Sequence, residues 1–131
     1  FFFYCKEFCS NLNVEFDHCS IRVTALTGAA AVSIFGETID TAAGLLKKNM
    51  NFTLDQREAW ARTRLLIVDE VSFMSCGKLI RLHQNLRALK QNYTALYGGF
   101  NMVFCGDFRQ LEPIGKKEVP LYMAHGEAEQ L

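Results

Sequence analysis

Leu65-Leu66-Ile67-Val68 is an unbroken run of apolar residues that stops abruptly in Asp69-Glu70. A strand with water on one face alternates apolar and polar positions. An uninterrupted run suits a strand covered on both faces, the situation of a parallel sheet sandwiched by helices. A second apolar stretch, Phe100 to Cys105, ends in Gly106-Asp107. Between the two, Leu79, Leu82, Leu86 and Leu89 recur at steps of three and four, with Lys78, Arg81, Arg87 and Lys90 interleaved. That spacing predicts an amphipathic helix lying on the sheet. Gly98-Gly99 breaks the chain before the second strand. Strand, helix and strand in this order make an α/β chain.

The remaining elements fit the same class. Phe2 to Leu12 reads as a helix, after which Asn11, Asn13 and Asp17 loosen the chain. Ile21-Arg22-Val23-Thr24-Ala25 is a short β-branched run and predicts a strand. Thr27-Gly28 opens a helical segment, Ala29 to Phe35, that Gly36 can close in a left-handed cap. A second short helix is expected from Thr38 to Leu45. Thr53 or Asp55 can cap a helix through Gln56, Arg57, Glu58, Ala59, Trp60 and Ala61. There are no repeats and only two prolines, Pro113 and Pro120. With half of its residues hydrophobic and 21% charged, the 131-residue chain suits one globular domain.

Lys plus Arg number 14 and Asp plus Glu number 14, so no global basic field announces a nucleic-acid partner, and any such contact must be local. Cys5, Cys9, Cys19, Cys76 and Cys105 include no C-x-x-C pair and no histidine at zinc-ligand spacing. They read as reduced, intracellular packing residues, although Cys5 and Cys9 would share one helix face. His18, His83 and His125 are scattered. The start, Phe1 to Cys9, mixes apolar and polar residues and lacks the form of a signal peptide. No stretch approaches the ~18 apolar residues of a membrane span, so no membrane partner is expected. A chain that opens on Phe1 instead of Met reads as a piece of something longer.

Two strands ending in carboxylates locate the chemistry. In open α/β sheets ligands collect beyond the carboxyl ends of the strands, where loops present polar groups without breaking the packed layers. Asp69 and Glu70 would point to opposite faces of their strand. One carboxylate can then hold Mg²⁺ through its water shell while the other orients and deprotonates a water aimed at a phosphate. Alone, such an ending is also how any strand leaves a core for solvent. A second carboxylate-tipped strand is harder to obtain by accident: Asp107, Arg109 and Gln110 would emerge beside the first pair if the strands are neighbours.

At this level of detail the chain resembles a known family. Leu65 to Ser72, then Gly98-Gly99-Phe100, then Gly106-Asp107-Phe108-Arg109-Gln110-Leu111 resemble motifs II and III of the Pif-type superfamily-one DNA helicases, including the helicase regions of Helitron transposons. Val23 to Ala31 and Gly36-Glu37-Thr38-Ile39 resemble motif Ia and the segment after it. The matches run from about residue 21 to 115, with motif Ia at about 23–31, motif II at 65–72 and motif III at 104–113. The resemblance implies that residues 1–131 are a partial first RecA-like ATPase domain of the P-loop NTPase fold, a parallel sheet sandwiched by helices and lacking its Walker A strand.

It also implies roles. Asp69 would hold the Mg²⁺ of Mg-ATP, Glu70 would be the base, and Gln110 would sense the γ-phosphate, with Asp107 and Arg109 supporting that loop around the nucleotide. Thr27, Gly28 and Thr38 would lie near single-stranded DNA, whose phosphates accept bonds from hydroxyl and backbone N–H groups without sequence readout. The partners implied are ATP, single-stranded DNA and DNA forks, and a second RecA-like domain of the same full-length chain. The implied setting is genome maintenance (repair, recombination, telomeres), in nucleus or mitochondrion if the source is eukaryotic.

The sequence departs from the family at Asp40, where a histidine usually follows Thr-Ile and where a carboxylate would repel a DNA phosphate. It departs also at Leu26, Phe73 and Glu112, which read as tolerable changes. It contains no G-x-x-x-x-G-K-[ST] loop, so the 131 residues alone are expected neither to hydrolyse ATP nor to unwind DNA. The two other readings of the residues are a P-loop ATPase that does not translocate and a non-catalytic, transposon-derived remnant.

Overall fold

The computed structural model describes residues 2–110, 113–115 and 118–123. Phe1, Leu111, Glu112 and His125, which the sequence reading named, lie outside them. In chain order the elements are α1 (Phe2–Asn11), β1 (Ile21–Ala25), α2 (Gly28–Ser33), β2 (Glu37–Thr38), α3 (Ile39–Ala42), α4 (Leu54–Ala61), β3 (Leu65–Asp69), α5 (Cys76–Lys90) and β4 (Asn101–Phe104). The four strands form one sheet in the order β2-β1-β3-β4, every pair parallel. Ile21 stands opposite Leu65, and Leu65 opposite Asn101. The three longer strands therefore start level, and β4 ends one residue before the other two.

One face of the sheet carries the core. Leu66 and Val68 are fully buried on it, together with Leu82, Leu86 and Leu89 of α5, Trp60 of α4, Ile39 of α3, Met74 and Phe100. Trp60 meets Phe100 edge to face, ring centres 5.4 Å apart, and the Arg22 guanidinium lies 4.3 Å from the Trp60 ring centre. Arg22 also pairs with Glu37 at 2.9 Å, fastening β1 to β2. Buried Thr24 donates its hydroxyl to the Ile67 carbonyl, 2.8 Å away, so a polar residue sits in the sheet without an unmet donor. The other face is thinner: Leu65 and Ile67 are only half-buried, and Val103 at the β4 edge is exposed. An apolar run does predict the strand, but here the second face is left partly open to solvent.

Side-chain oxygens start the helices. Thr27, Thr38 and Ser75 accept from the backbone N–H groups of Ala30, Thr41 and Lys78. Thr53, not Asp55, caps α4: it accepts from the Gln56 N–H at 3.3 Å while the Gln56 side chain accepts from the Thr53 N–H at 3.0 Å, a reciprocal capping box.

Three expectations are corrected. The helix expected from Thr38 to Leu45 is one turn, Ile39–Ala42, ended by Gly44 at φ +62°. The buried Asn85 amide donates to the Ala43 and Gly44 carbonyls at 2.8 and 3.2 Å and satisfies that terminus. The left-handed residue closing α2 is Phe35 (φ 53°), not Gly36. Gly36 is needed instead for close approach, since a Cβ there would lie 2.5 Å from the Val23 carbonyl oxygen. The cysteines are free thiols but not packing residues. Cys19 and Cys105 are exposed and the other three half-buried, because they sit on α1, at strand ends and at the start of α5, outside the core.

Leu86→Ala should cost about 2–5 kcal/mol of unfolding free energy through cavity formation. Leu46→Ala, at an 82% exposed site, should change it by less than about 0.5 kcal/mol. Urea titrations followed by circular dichroism check the pair; similar midpoints for the two variants would contradict this placement of the core.

Candidate functional site

Because β1, β3 and β4 are parallel and in level register, their carboxyl ends open on one edge of the sheet. Hydrogen bonding continues past the regular strands at that edge. Leu26 N–H donates to the Asp69 carbonyl at 3.1 Å, Cys105 N–H to the Val68 carbonyl at 2.9 Å, and Val71 N–H to the Cys105 carbonyl at 2.8 Å. The residues following each strand are thereby tied to those following its neighbour.

Asp69, half-buried, is the last residue of β3, and its Oδ1 accepts the Glu70 N–H at 2.8 Å. Glu70 does not continue the strand as the alternation argument supposed. It takes the left-handed conformation, φ 60° and ψ 39°, and opens a 3-10 turn over Val71–Phe73. A non-glycine residue in this region is strained, and such residues persist where the surroundings over-determine them. Here Val71 is bonded to Cys105, and Gly106 lies against the same turn: a Cβ on Gly106 would fall 2.7 Å from the Val71 nitrogen and 3.3 Å from the Glu70 carbonyl carbon. Glycine is thus what lets the end of β4 approach the end of β3. Beyond it the chain turns, with Arg109 N–H donating to Asp107 Oδ1 at 2.9 Å and Gln110 N–H to the Asp107 carbonyl at 3.0 Å. Asp107, Arg109 and Gln110 are all exposed.

Along the edge the order is therefore Thr38 ending β2, Thr27 and Gly28 after β1, Asp69 ending β3 with Glu70 next, and Asp107, Arg109 and Gln110 after β4. The eight residues singled out from sequence lie along one border of the molecule. Thr27 and Thr38 use an oxygen lone pair to cap their helices; this leaves the Thr27 hydroxyl hydrogen to donate elsewhere, whereas Thr38 Oγ1 also shares a hydrogen bond with Thr41 Oγ1 at 3.0 Å. Gly28 faces open space.

The donor set is compatible with a hydrated Mg²⁺. Among the described residues no three His, Cys, Asp or Glu side chains converge as a cage would require. Asp69 has one carboxylate oxygen engaged by Glu70 N–H and one available. A single carboxylate fits Mg²⁺ that keeps most of its waters and arrives with substrate phosphates. A hollow of about 750 Å³ lies elsewhere, between α1 and the amino-terminal ends of β1 and β3, lined by Phe8, Phe16, Ile21 and Leu65 among others. It is mainly apolar and open. The strand-end edge is the better candidate, since carboxylate, amide and hydroxyl groups from four adjacent strands line up there.

Two features escaped the sequence reading. One is the strain at Glu70. The other is Lys78, which the helical periodicity treats as a solvated face but whose ammonium pairs with Asp40 at 3.1 Å. A contact between residues 38 positions apart has no signature in local spacing.

Comparison with known proteins fits this geometry. Residues 6–122 match the model of a family described as PIF1-like helicase. The chain belongs to the PIF1-like helicase family. It is 37% identical over 108 residues to the ATP-dependent DNA helicase RRM3 of Saccharomyces cerevisiae, covering 76% of this chain and 15% of that protein. It is 32% identical over 105 residues to the human ATP-dependent DNA helicase PIF1, covering 74% and 16%. The Pif1 helicase of Candida albicans superposes with a TM-score of 0.68 at 29% identity, over 95% of this chain and 29% of that one. Bacteroides Pif1 bound to ssDNA superposes with a TM-score of 0.67 at 25% identity, over 88% and 28%. The fold is RecA-like. The chain spans about a sixth or less of the length of these curated helicase relatives.

Gly106→Ala should disrupt the Val71–Cys105 bond and loosen the Glu70 turn. Amide hydrogen exchange at Val71 should accelerate by an order of magnitude or more while the core amides of β3 keep most of their protection. Unchanged exchange at Val71 would show that the close approach does not hold the turn.

Proposed function

We propose that this chain is part of the first RecA-like domain of an ATP-dependent DNA helicase that couples ATP hydrolysis to movement along single-stranded DNA and separation of duplex. The observation that carries the reading is the line of acidic, amide and hydroxyl side chains along the carboxyl ends of adjacent parallel strands. Membership of the PIF1-like family supports it, as do relatives named ATP-dependent DNA helicases and a Bacteroides relative crystallised with ssDNA. DNA forks, a second RecA-like domain in the complete protein and a role in genome maintenance, nuclear or mitochondrial in a eukaryote, belong to the same proposal.

In this reading Asp69 would hold the hydrated Mg²⁺ of Mg-ATP, and the ion would supply neutralisation of phosphate charge. Glu70 orients a water and takes its proton as the water oxygen bonds to the γ-phosphorus; the bond from that phosphorus to the bridging oxygen breaks and ADP leaves. The left-handed backbone at Glu70 aims the carboxylate away from the strand, and the Val71–Cys105 bond and Gly106 hold that aim. Gln110 contacts the γ-phosphate from the neighbouring strand end, on a turn that Asp107 stabilises through Arg109. Loss of the γ-phosphate is then felt at β4, which is bonded to β3 and through it to β1, where Thr27 and Gly28 meet DNA. Thr38 continues that contact after β2. These groups donate to phosphate oxygens and read no bases, so binding is sequence-independent and falls with salt.

In the complete protein Glu70→Gln should retain ATP binding and lower DNA-stimulated turnover by about 10²–10⁴-fold, the scale of a lost general base. Phosphate release and nucleotide binding, measured side by side, check it, and wild-type turnover in the variant would remove Glu70 from the role. ATPase activity indifferent to single-stranded DNA in the unsubstituted protein would favour an ATPase that does not translocate, and no turnover at all would favour a non-catalytic remnant.

A further inference from the structure

Asp40 is in the first turn of α3, two residues after Thr38. Its Oδ2 lies 3.1 Å from Lys78 Nζ in the first turn of α5, and its Oδ1 is buried with no hydrogen-bond partner among the described residues. The pair is partly exposed, at 20% and 32% of the two side chains. Lys78 borders two small adjoining hollows. One, about 250 Å³, is shared with Asp40, Ser75, Arg81 and Glu118. The other, about 210 Å³, is shared with Leu26, Thr27, Phe73 and Glu118. Lys78 therefore stands between the end of α3 that carries Thr38 and the end of β1 that carries Thr27. An ammonium has three donors, and Asp40 takes one. The charged groups facing it are Asp40 and Glu118 against Arg81, whose guanidinium donates to the Lys47 carbonyl.

We propose that Lys78 is a phosphate-binding residue of the single-stranded DNA surface and that Asp40 restrains it, so that a backbone phosphate takes over the ammonium from Asp40 when DNA binds between Thr27 and Thr38. This rests on the DNA-binding reading above and extends it to a residue with no part in that reading. It also explains how a carboxylate is accommodated on this edge. Asp40 does not confront phosphate as an unpaired charge; it is neutralised by Lys78, and its effect on DNA is exerted through that lysine. Because the ammonium keeps access to solvent, with 32% of the Lys78 side chain exposed, a phosphate can compete for it.

The test is the salt dependence of binding of a fluorescein-labelled oligothymidylate to the complete protein between about 50 and 200 mM NaCl. Lys78→Met should weaken binding several-fold at low salt and flatten the slope of log K against log salt by about 0.7, the loss of one single-strand phosphate contact. Lys78→Arg should keep the slope. Asp40→Asn should tighten binding, and the tightening should vanish in the Asp40→Asn, Lys78→Met double variant. Melting temperatures by circular dichroism identify variants that lose the fold, and for those Lys78→Arg and Asp40→Asn decide the matter. An unchanged slope in folded Lys78→Met, or equal tightening by Asp40→Asn with and without Lys78, would overturn the assignment while leaving DNA binding standing. Failure of the unsubstituted protein to bind the oligonucleotide would overturn the DNA reading itself and this assignment with it.

Discussion

The parallel ladder from β1 through β3 to β4 does not end where the regular strands do. Leu26 is bonded to the Asp69 carbonyl on one side of β3, and Val71 to the Cys105 carbonyl on the other. These bonds make three loop openings into one rigid edge. Backbone groups so close to a sheet end must find partners or lose the free energy of a buried, unmet polar group. The solution adopted here, one loop bonding the next, also sets the spacing of the side chains those loops present. A carboxylate pair alone has no defined relation to a glutamine roughly 40 residues later; two strands in register supply that relation.

Locally, the edge concentrates strain and close approach. Glu70 lies in a left-handed conformation that glycine would adopt more cheaply, and Gly106 occupies a position that no side chain can share with Val71. The two exceptions depend on each other, since the glycine admits β4 to the turn that the glutamate opens. The general base proposed at Glu70 would need a fixed direction more than a relaxed backbone, and strain of order 1–3 kcal/mol is tolerable when the surrounding bonds over-determine the geometry. The Asp40–Lys78 pair farther along the edge shows a similar economy, in which a charge unfavourable to a polyanion is neutralised within the protein.

Much of this was legible in the chain. The run Leu65 to Val68 marked β3, Ile21 to Ala25 marked β1 to the residue, and the leucine spacing marked α5, because burial imposes periods of two or 3.6 that depend only on neighbours in sequence. The short elements were less legible. β2 is two residues long, and α3 is a single turn stopped by Gly44 and held by Asn85, more than forty positions away. Phe35 assumes the left-handed cap beside a glycine that sequence rules would favour, because Gly36 is already committed to the Val23 backbone. Asp69, Glu70, Asp107, Arg109 and Gln110 were nameable because polar residues at apolar strand ends are conspicuous, whereas Thr27 and Thr38 were nameable only through the family resemblance.

What the sequence determined by itself was therefore local and periodic: which segments are strands and helices, where helices start, and that two apolar strands end in acids. Tertiary structure alone decided the order β2-β1-β3-β4, the level register that lines up the polar ends, the left-handed turn at Glu70, and the meeting of Lys78 with Asp40. The reason is physical. Periodicity and capping are governed by groups a few residues apart, whereas strand order, register and charge pairing depend on the packing of the whole core, which brings distant residues together and leaves no mark in the spacing of either one.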